Sequence, residues 1–347
     1  MFFASDNSGP VPPQVIDALA RANTGHVSGY GADALSLSVA DRLRDLFEAP
    51  DAAVYLVPTG TAANVLALAL LCPPYGTVFA SPVAHIHEDE CNAPEFFTGG
   101  AKLTLVPGGD RMTPDALRRA IEGEQNRGVH GPKRGPVSIT QLTERGNVYS
   151  MDELHALTAV AREYGLPVHL DGARFANAAV RLGVTPAQMS WKAGVDICVF
   201  GGTKNGLMGV EAVMIFDPAR AEEFEYRRKR GAMLFSKHRY LAAQMDAYLA
   251  QDLWKDLALR ANARCDQLVQ GMKGLGVTVL NDTQGNMVFF DAPRRVHQAL
   301  HEAGVAYNIW GALDGDPQET IMGRLVCDWS LEPAQVSLFL DHLGKAA

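Results

Sequence analysis

Apolar residues recur along this chain in two alternating rhythms. Short β-branched or apolar runs fall at residues 54–57, 78–80, 103–106, 137–139, 168–170, 197–200 and 213–216, each of the length of a buried strand. Between them, residues 61–71, 114–122 and 152–164 carry apolar side chains at helical spacing, with Pro114 and Asp152 where helix-start residues belong. Strand and crossover helix in alternation predict an α/β fold with a mostly parallel sheet sandwiched by helices. After Phe235 the rhythm changes. A long helical stretch at residues 240–272 is followed by strand-like runs at 277–280 and 287–290, a helical pattern near 293–303 and a last apolar run at 325–327. This looser mixture predicts a smaller α+β domain. The expected organisation is a large domain over residues 1–250, with an N-terminal arm at 1–13, and a small C-terminal domain over 251–347.

Composition narrows the class without changing that picture. A length of 347 residues suits two unequal domains, and 47% hydrophobic with 20% charged residues is a globular balance. Lys and Arg number 31 against 39 Asp and Glu, with no dense basic stripe of the kind that nucleic-acid backbones require. The basic cluster Arg227, Arg228, Lys229 and Arg230 is expected to be a solvated helix face. The five cysteines are widely spaced and form no CxxC pair, so neither a disulfide framework nor a metal site is indicated. Reduced thiols and the absence of a leader or long apolar run predict a soluble, cytoplasmic protein.

Three segments carry the candidate chemistry. Pro58-Thr59-Gly60-Thr61 is a glycine turn between a predicted strand and a predicted helix. Free amides and the positive helix end make it a candidate phosphate cradle, although it also reads as a plain helix start. In His169-Leu170-Asp171-Gly172 an apolar strand ends in a carboxylate, where open α/β sheets gather their sites. Asp171 there could hold a pyridine nitrogen protonated or merely cap a helix. Gly201-Gly202-Thr203-Lys204 ends the next strand, and a lysine at such a position can lose solvation and offer a neutral amine for a Schiff base. Each piece alone is weak. Their order on one sheet, phosphate turn, then Asp, then Lys, points to pyridoxal 5'-phosphate (PLP) bound through Lys204.

With those residues in hand, the chain resembles the low-specificity L-threonine aldolases among the fold-type I PLP-dependent enzymes. The matching segments are Ser5-Asp6-Asn7, Tyr30-Gly31, Gly60-Thr61-Ala62-Ala63-Asn64, Ala84-His85, Asp171-Gly172-Ala173-Arg174, Thr203-Lys204 and Arg324-Leu325-Val326, spread over nearly the whole chain. The resemblance implies a fold-type I large domain and a cofactor held by Gly60, Thr61, His85, Asp171, Arg174, Thr203 and Lys204. His85 would stack on the ring, and Ser5, Arg174 and Arg324, with Tyr30 nearby, would serve the substrate. It also implies a homodimer or a tetrameric dimer of dimers with sites at the dimer interface. Tyr30 would lie near the partner's site, and a basic residue from 229–237 would reach the partner's phosphate. One departure is plain: where many members read Thr-His-Asn-Gly, this chain has Thr143-Glu144-Arg145-Gly146.

The implied reaction cleaves the Cα–Cβ bond of L-threonine, L-allo-threonine or related β-hydroxy-α-amino acids such as phenylserine, releasing glycine and an aldehyde. The base that takes the β-hydroxyl proton is His85, Glu144 or a water between them. Glu144 also reads as a loop residue paired with Arg145. A β-eliminating lyase or an aminotransferase on the same scaffold stays open, since fold and cofactor do not determine the reaction.

Overall fold

The structure is a computed structural model that describes residues 1–346. Seven strands form the large sheet: β1 (Ala53–Val57), β2 (Gly76–Ala80), β3 (Lys102–Leu105), β4 (Lys133–Thr140), β5 (Val168–Asp171), β6 (Ile197–Gly201) and β7 (Glu211–Ile215). Their order is β1-β7-β6-β5-β4-β2-β3. The neighbours from β6 through β3 run parallel, whereas β7 runs antiparallel to both β6 and β1. The reversal has a simple cause. Residues 202–210 join β6 to β7 without a crossover α-helix, and only an antiparallel neighbour can be reached that way. The start of β7 therefore lies at the same sheet edge as the ends of β1, β5 and β6.

Helices cover both faces of this sheet, which is why its strands are written as continuous apolar runs rather than as alternation. The helix Gly60–Leu71 is buried at every residue from Ala62 onward. It packs through Val65, Leu66 and Leu70 into a cluster with Val199, Val213 and Ile215. On the other face Phe47, Phe175, Phe200 and Trp254 meet edge to face or tilted.

A second, antiparallel sheet holds β8 (Thr278–Val279), β9 (Met287–Pro293), β10 (Asn308–Trp310) and β11 (Thr320–Val326), in the order β10-β11-β9-β8. Phe3 of the N-terminal arm is buried in the core of this unit, held by Phe3 N–H to Ala306 O at 2.7 Å and Val326 N–H to Phe3 O at 2.8 Å. The arm thereby delivers residues 5–7 to the seam between the two cores. The helix Leu253–Gly274 spans that seam: Trp254 and Leu257 lie in the large core, Leu268 and Met272 in the small one.

The structure corrects two expectations. The helical stretch at 240–272 is two helices, Arg239–Leu249 and Leu253–Gly274, separated where Gln251 and Asp252 adopt φ of 51° and 55°. Apolar spacing survives the break because both helices face buried surface, so periodicity does not register it. Within the helix Ala221–Arg230, Arg228 is no solvated charge: it is 7% exposed and its guanidinium lies 4.8 Å from the Tyr55 ring centroid. Burial pushes its proton affinity down. Arg227, Lys229 and Arg230 do line the outer side, Arg227 pairing with Glu223.

Candidate active site

A cavity of about 360 Å³ opens at the carboxyl edge of the large sheet, lined among others by Gly60, Thr61, Asn64, His85, Asp171 and Lys204. Close chain approach shapes its floor. A side chain at Gly172 would stand 2.0 Å from the Val199 carbonyl, and one at Gly202 would stand 2.6 Å from the Val210 carbonyl. Only glycine lets β5 and β6 end this tightly together. At the phosphate turn, Thr59 caps its helix by accepting the Ala62 N–H at 3.1 Å, and its carbonyl takes the Ala63 N–H. The amides of Gly60 and Thr61 keep no partner among the described residues. Free donors at the positive end of a twelve-residue helix suit an anion.

Asp171 is buried at the end of β5. Its carboxylate accepts the Ala173 N–H and the Asn64 amide, each at 3.0 Å. The same Asn64 nitrogen also donates to Glu90 Oε1 at 2.9 Å, and Glu90 Oε1 meets His85 Nδ1 at 2.9 Å. A continuous chain, His85 to Glu90 to Asn64 to Asp171, thus runs along one wall. The bond to Glu90 raises the proton affinity of His85 against the opposing effect of its burial. Burial raises that of Glu90. With Nδ1 committed to Glu90, Nε2 is the nitrogen left to act.

Beside this wall, Arg174 donates from Nε and Nη2 to both oxygens of Asp6, at 2.7 and 3.0 Å. Burial alone would raise the Asp6 carboxyl, but the Arg174 and Lys204 charges with hydrogen bonds from Arg174 and Asn286 outweigh it and hold it below the usual range. Removing one partner of a buried pair such as this typically costs about 3–5 kcal/mol, so the pair fixes the arm against the sheet. Arg324 lies on β11, its guanidinium 5.8 Å from the Trp310 ring centroid and donating weakly to Ala4 O at 3.3 Å. Its Nε is buried without a partner among the described residues, and burial lowers its proton affinity. Ser5 follows Ala4 directly and accepts the Asn7 N–H through Oγ at 3.1 Å.

Glu144 sits half-buried in the turn closed by Gly146 N–H to Thr143 O at 2.9 Å. It forms no ion pair among the described residues. Arg145 instead stacks over Phe289 at 5.3 Å, and the Glu144 charge is felt by His85, Arg174 and Arg324. Thr203 spends its hydroxyl inside its own turn, accepting the Val210 N–H at 3.2 Å and donating to Glu211. Tyr30 lies away from the cavity. It is 52% exposed, with φ of 59°, its amide bonded to Ser236 O at 3.0 Å and Lys229 Nζ 5.1 Å from its ring centroid.

Two wall residues carry no chemical signal in the sequence. Glu90 closes the polar run His87-Glu88-Asp89-Glu90 and looks solvated, whereas it is 4% exposed. Glu211 is a single charge ahead of an apolar strand, a pattern that also marks an ordinary strand start.

The surroundings of this site have relatives. A family profile described as beta-eliminating lyase matches residues 3–293. A low specificity L-threonine aldolase of Pseudomonas sp. (strain NCIMB 10558) is 41% identical over 337 residues, covering 96% of this chain and 94% of that protein. A solved structure of a Leishmania major threonine aldolase superposes with a TM-score of 0.91 at 26% identity, covering 99% of this chain and 98% of that one. A Sphingomonas wittichii serine palmitoyltransferase shares the fold, with a TM-score of 0.74 at 15% identity over 100% of this chain and 86% of that one. Identity sustained over nearly the whole of both chains assigns this protein to the beta-eliminating lyase family and, within it, to the low-specificity L-threonine aldolases.

Proposed function

We propose that this chain is a PLP-dependent aldolase that cleaves L-threonine, L-allo-threonine and related β-hydroxy-α-amino acids to glycine and an aldehyde. The observation that carries the reading is one cavity lined by the Lys204 amine, the buried Asp171 carboxylate and the open amides of Gly60 and Thr61. This donor set fits PLP: a nucleophilic amine for the aldehyde, a carboxylate for the ring nitrogen and a helix N-terminus for the phosphate. When bound, the protonated pyridine ring supplies an electron sink for the pair released at Cα.

The chain's own residues divide the remaining work. Asp171 keeps a proton on the ring nitrogen, and its hydrogen bonds from Asn64 and Ala173 prevent it from turning away. Arg174, locked by Asp6, would serve the ring-hydroxyl side of the cofactor. Arg324, with an uncommitted buried N–H, and Ser5 hold the substrate carboxylate. Gripping that group would fix the orientation of the substrate's Cα–Cβ bond within the cavity, which is the positioning that selective cleavage of that bond requires. His85 takes the β-hydroxyl proton at Nε2, and Glu144 supports it by charge or through a water.

The product mixture tests this reading. With L-threonine the protein should yield glycine and acetaldehyde in equal amounts, and L-allo-threonine and L-phenylserine should also give glycine. A keto acid with ammonia as the main products would make it a β-eliminating enzyme instead. Arg324→Ala should raise the apparent KM at least roughly 30-fold with little change in bound cofactor, because losing a buried charged partner costs about 2–5 kcal/mol. An unchanged KM would move the carboxylate site elsewhere.

The same reading makes the working unit a homodimer or a dimer of dimers. Tyr30 and the adjoining segment through Lys237, surface-exposed and mutually bonded, suit a role at a partner's site. The five free cysteines suit a reducing, cytoplasmic setting. Among the described residues no helix is long and apolar enough to cross a membrane.

A further inference from the structure

Glu211 stands at the start of β7, paired across the sheet with Val57 at the end of β1 and with Gly201 at the end of β6. It lines the same cavity as Lys204 and is only 3% exposed. Its Oε2 accepts the Gly202 N–H at 2.6 Å, and Thr203 reaches its carboxyl from both hydroxyl and amide. The two residues ahead of Lys204 are therefore tied to one buried acid. A carboxyl at a strand start is costly to bury, and any small residue could begin β7. Its hydrogen bonds here run to the turn that carries the amine.

We propose that Glu211 is a positioning residue for Lys204, its buried carboxylate clamping the Gly202–Thr203 turn and acting as counter-charge to the amine. This inference rests on the reading that Lys204 is the cofactor-bearing lysine, and it adds a group for which the aldolase chemistry alone does not call. Burial pushes the Glu211 carboxyl up to about 7, against the pull of its hydrogen bonds and of the Lys204 charge. The groups that face it are Lys204 from the turn and Tyr248 from the helix Arg239–Leu249, with Asp171 and His85 on the other walls of the cavity. Deprotonation above neutral pH thus brings a negative charge beside Lys204, and an opposite charge nearby favours the protonated amine.

The test uses the full chain with Glu211→Gln, which removes the charge but keeps an acceptor for Gly202. In the cofactor-loaded protein, the pH midpoint of the visible absorbance change should move to lower pH. In cofactor-free protein, acetylation of Lys204 at a fixed pH above neutral, read by peptide mass spectrometry against the other lysines, should quicken by about tenfold. Glu211→Asp should restore both readouts toward wild type. Glu211→Ser, small enough to admit water, carries the same test if the glutamine variant does not fold. Wild-type midpoint and acetylation rate in a folded neutral variant would overturn the proposal. Borohydride fixation to a peptide other than that of Lys204 would instead remove the assignment of Lys204 as the cofactor-bearing lysine, and the acetylation arm would still decide whether Glu211 acts on its amine.

Discussion

Replacing Lys204 by alanine is expected to reduce glycine formation by ~10⁴-fold or more while leaving the fold intact, because the variant removes the covalent attachment point. Lys204 sits in a short 3-10 turn between Gly202 and Gly206, and its side chain makes no hydrogen bond or ion pair among the described residues. Its loss therefore breaks no hydrogen bond or ion pair and removes only its through-space charge toward Asp6 and Glu211, so the thermal midpoint should stay near that of the wild type. Lys204→Arg should be equally inactive, since a guanidinium keeps the charge but is no nucleophile at neutral pH. Borohydride reduction of the wild type should retain the cofactor on the peptide containing Lys204 and release it from Lys204→Ala. If Lys204→Ala keeps even a tenth of the wild-type rate, or reduction labels another peptide, the assignment of the cavity as the reaction site is lost.

How much of this was legible in the chain depends on what each residue's role requires. The placement of Asp171 and Lys204 at one cavity could be read because strand ends next to glycines are visible as pattern, and open sheets collect chemistry there. Gly60 and Thr61 were visible for the same reason. The reversal of β7 was not, since a run such as Ala212 to Ile215 is equally apolar in either direction; only the short link after β6 determines it. The break at Gln251 and Asp252 was hidden because hydrophobic spacing carries no record of φ. Glu90, Glu211 and Arg228 were missed for a common physical reason. A charged residue is read as exposed unless its partners are known, and their partners, Asn64, Gly202 and Tyr55, lie 26, 9 and 173 positions away in the chain. Phe3 likewise gives no hint that it completes a second core built mainly from residues beyond 260.

The second large effect concerns the wall that joins His85 to Asp171. His85→Ala should lower kcat/KM for L-threonine by ~10²- to 10⁴-fold, the usual contribution of a positioned acid–base group. Glu90 is expected to act through His85, and the pH profile separates the two. As a base, His85 works in its neutral form, so activity rises with pH as the imidazole loses its proton. The Glu90 hydrogen bond raises its proton affinity, which sets the acid limb of the wild-type profile at higher pH than an isolated histidine would give. Glu90→Gln preserves an acceptor for Nδ1–H but deletes the charge. The acid limb should therefore move to lower pH, and the plateau should fall because the remaining imidazole is a weaker base. Since Asn64 links Glu90 to Asp171, the visible spectrum of the bound cofactor should change as well, whereas a purely local packing defect would leave its pH dependence alone. Because His85 and Glu90 act as one unit, the double variant should be little worse than His85→Ala alone. Glu144→Gln provides the contrast. Its carboxylate makes no direct bond to His85 and supports it by charge or through a water, so a drop comparable to that of His85→Ala, with a wild-type profile in Glu90→Gln, would transfer the proton-accepting role to Glu144.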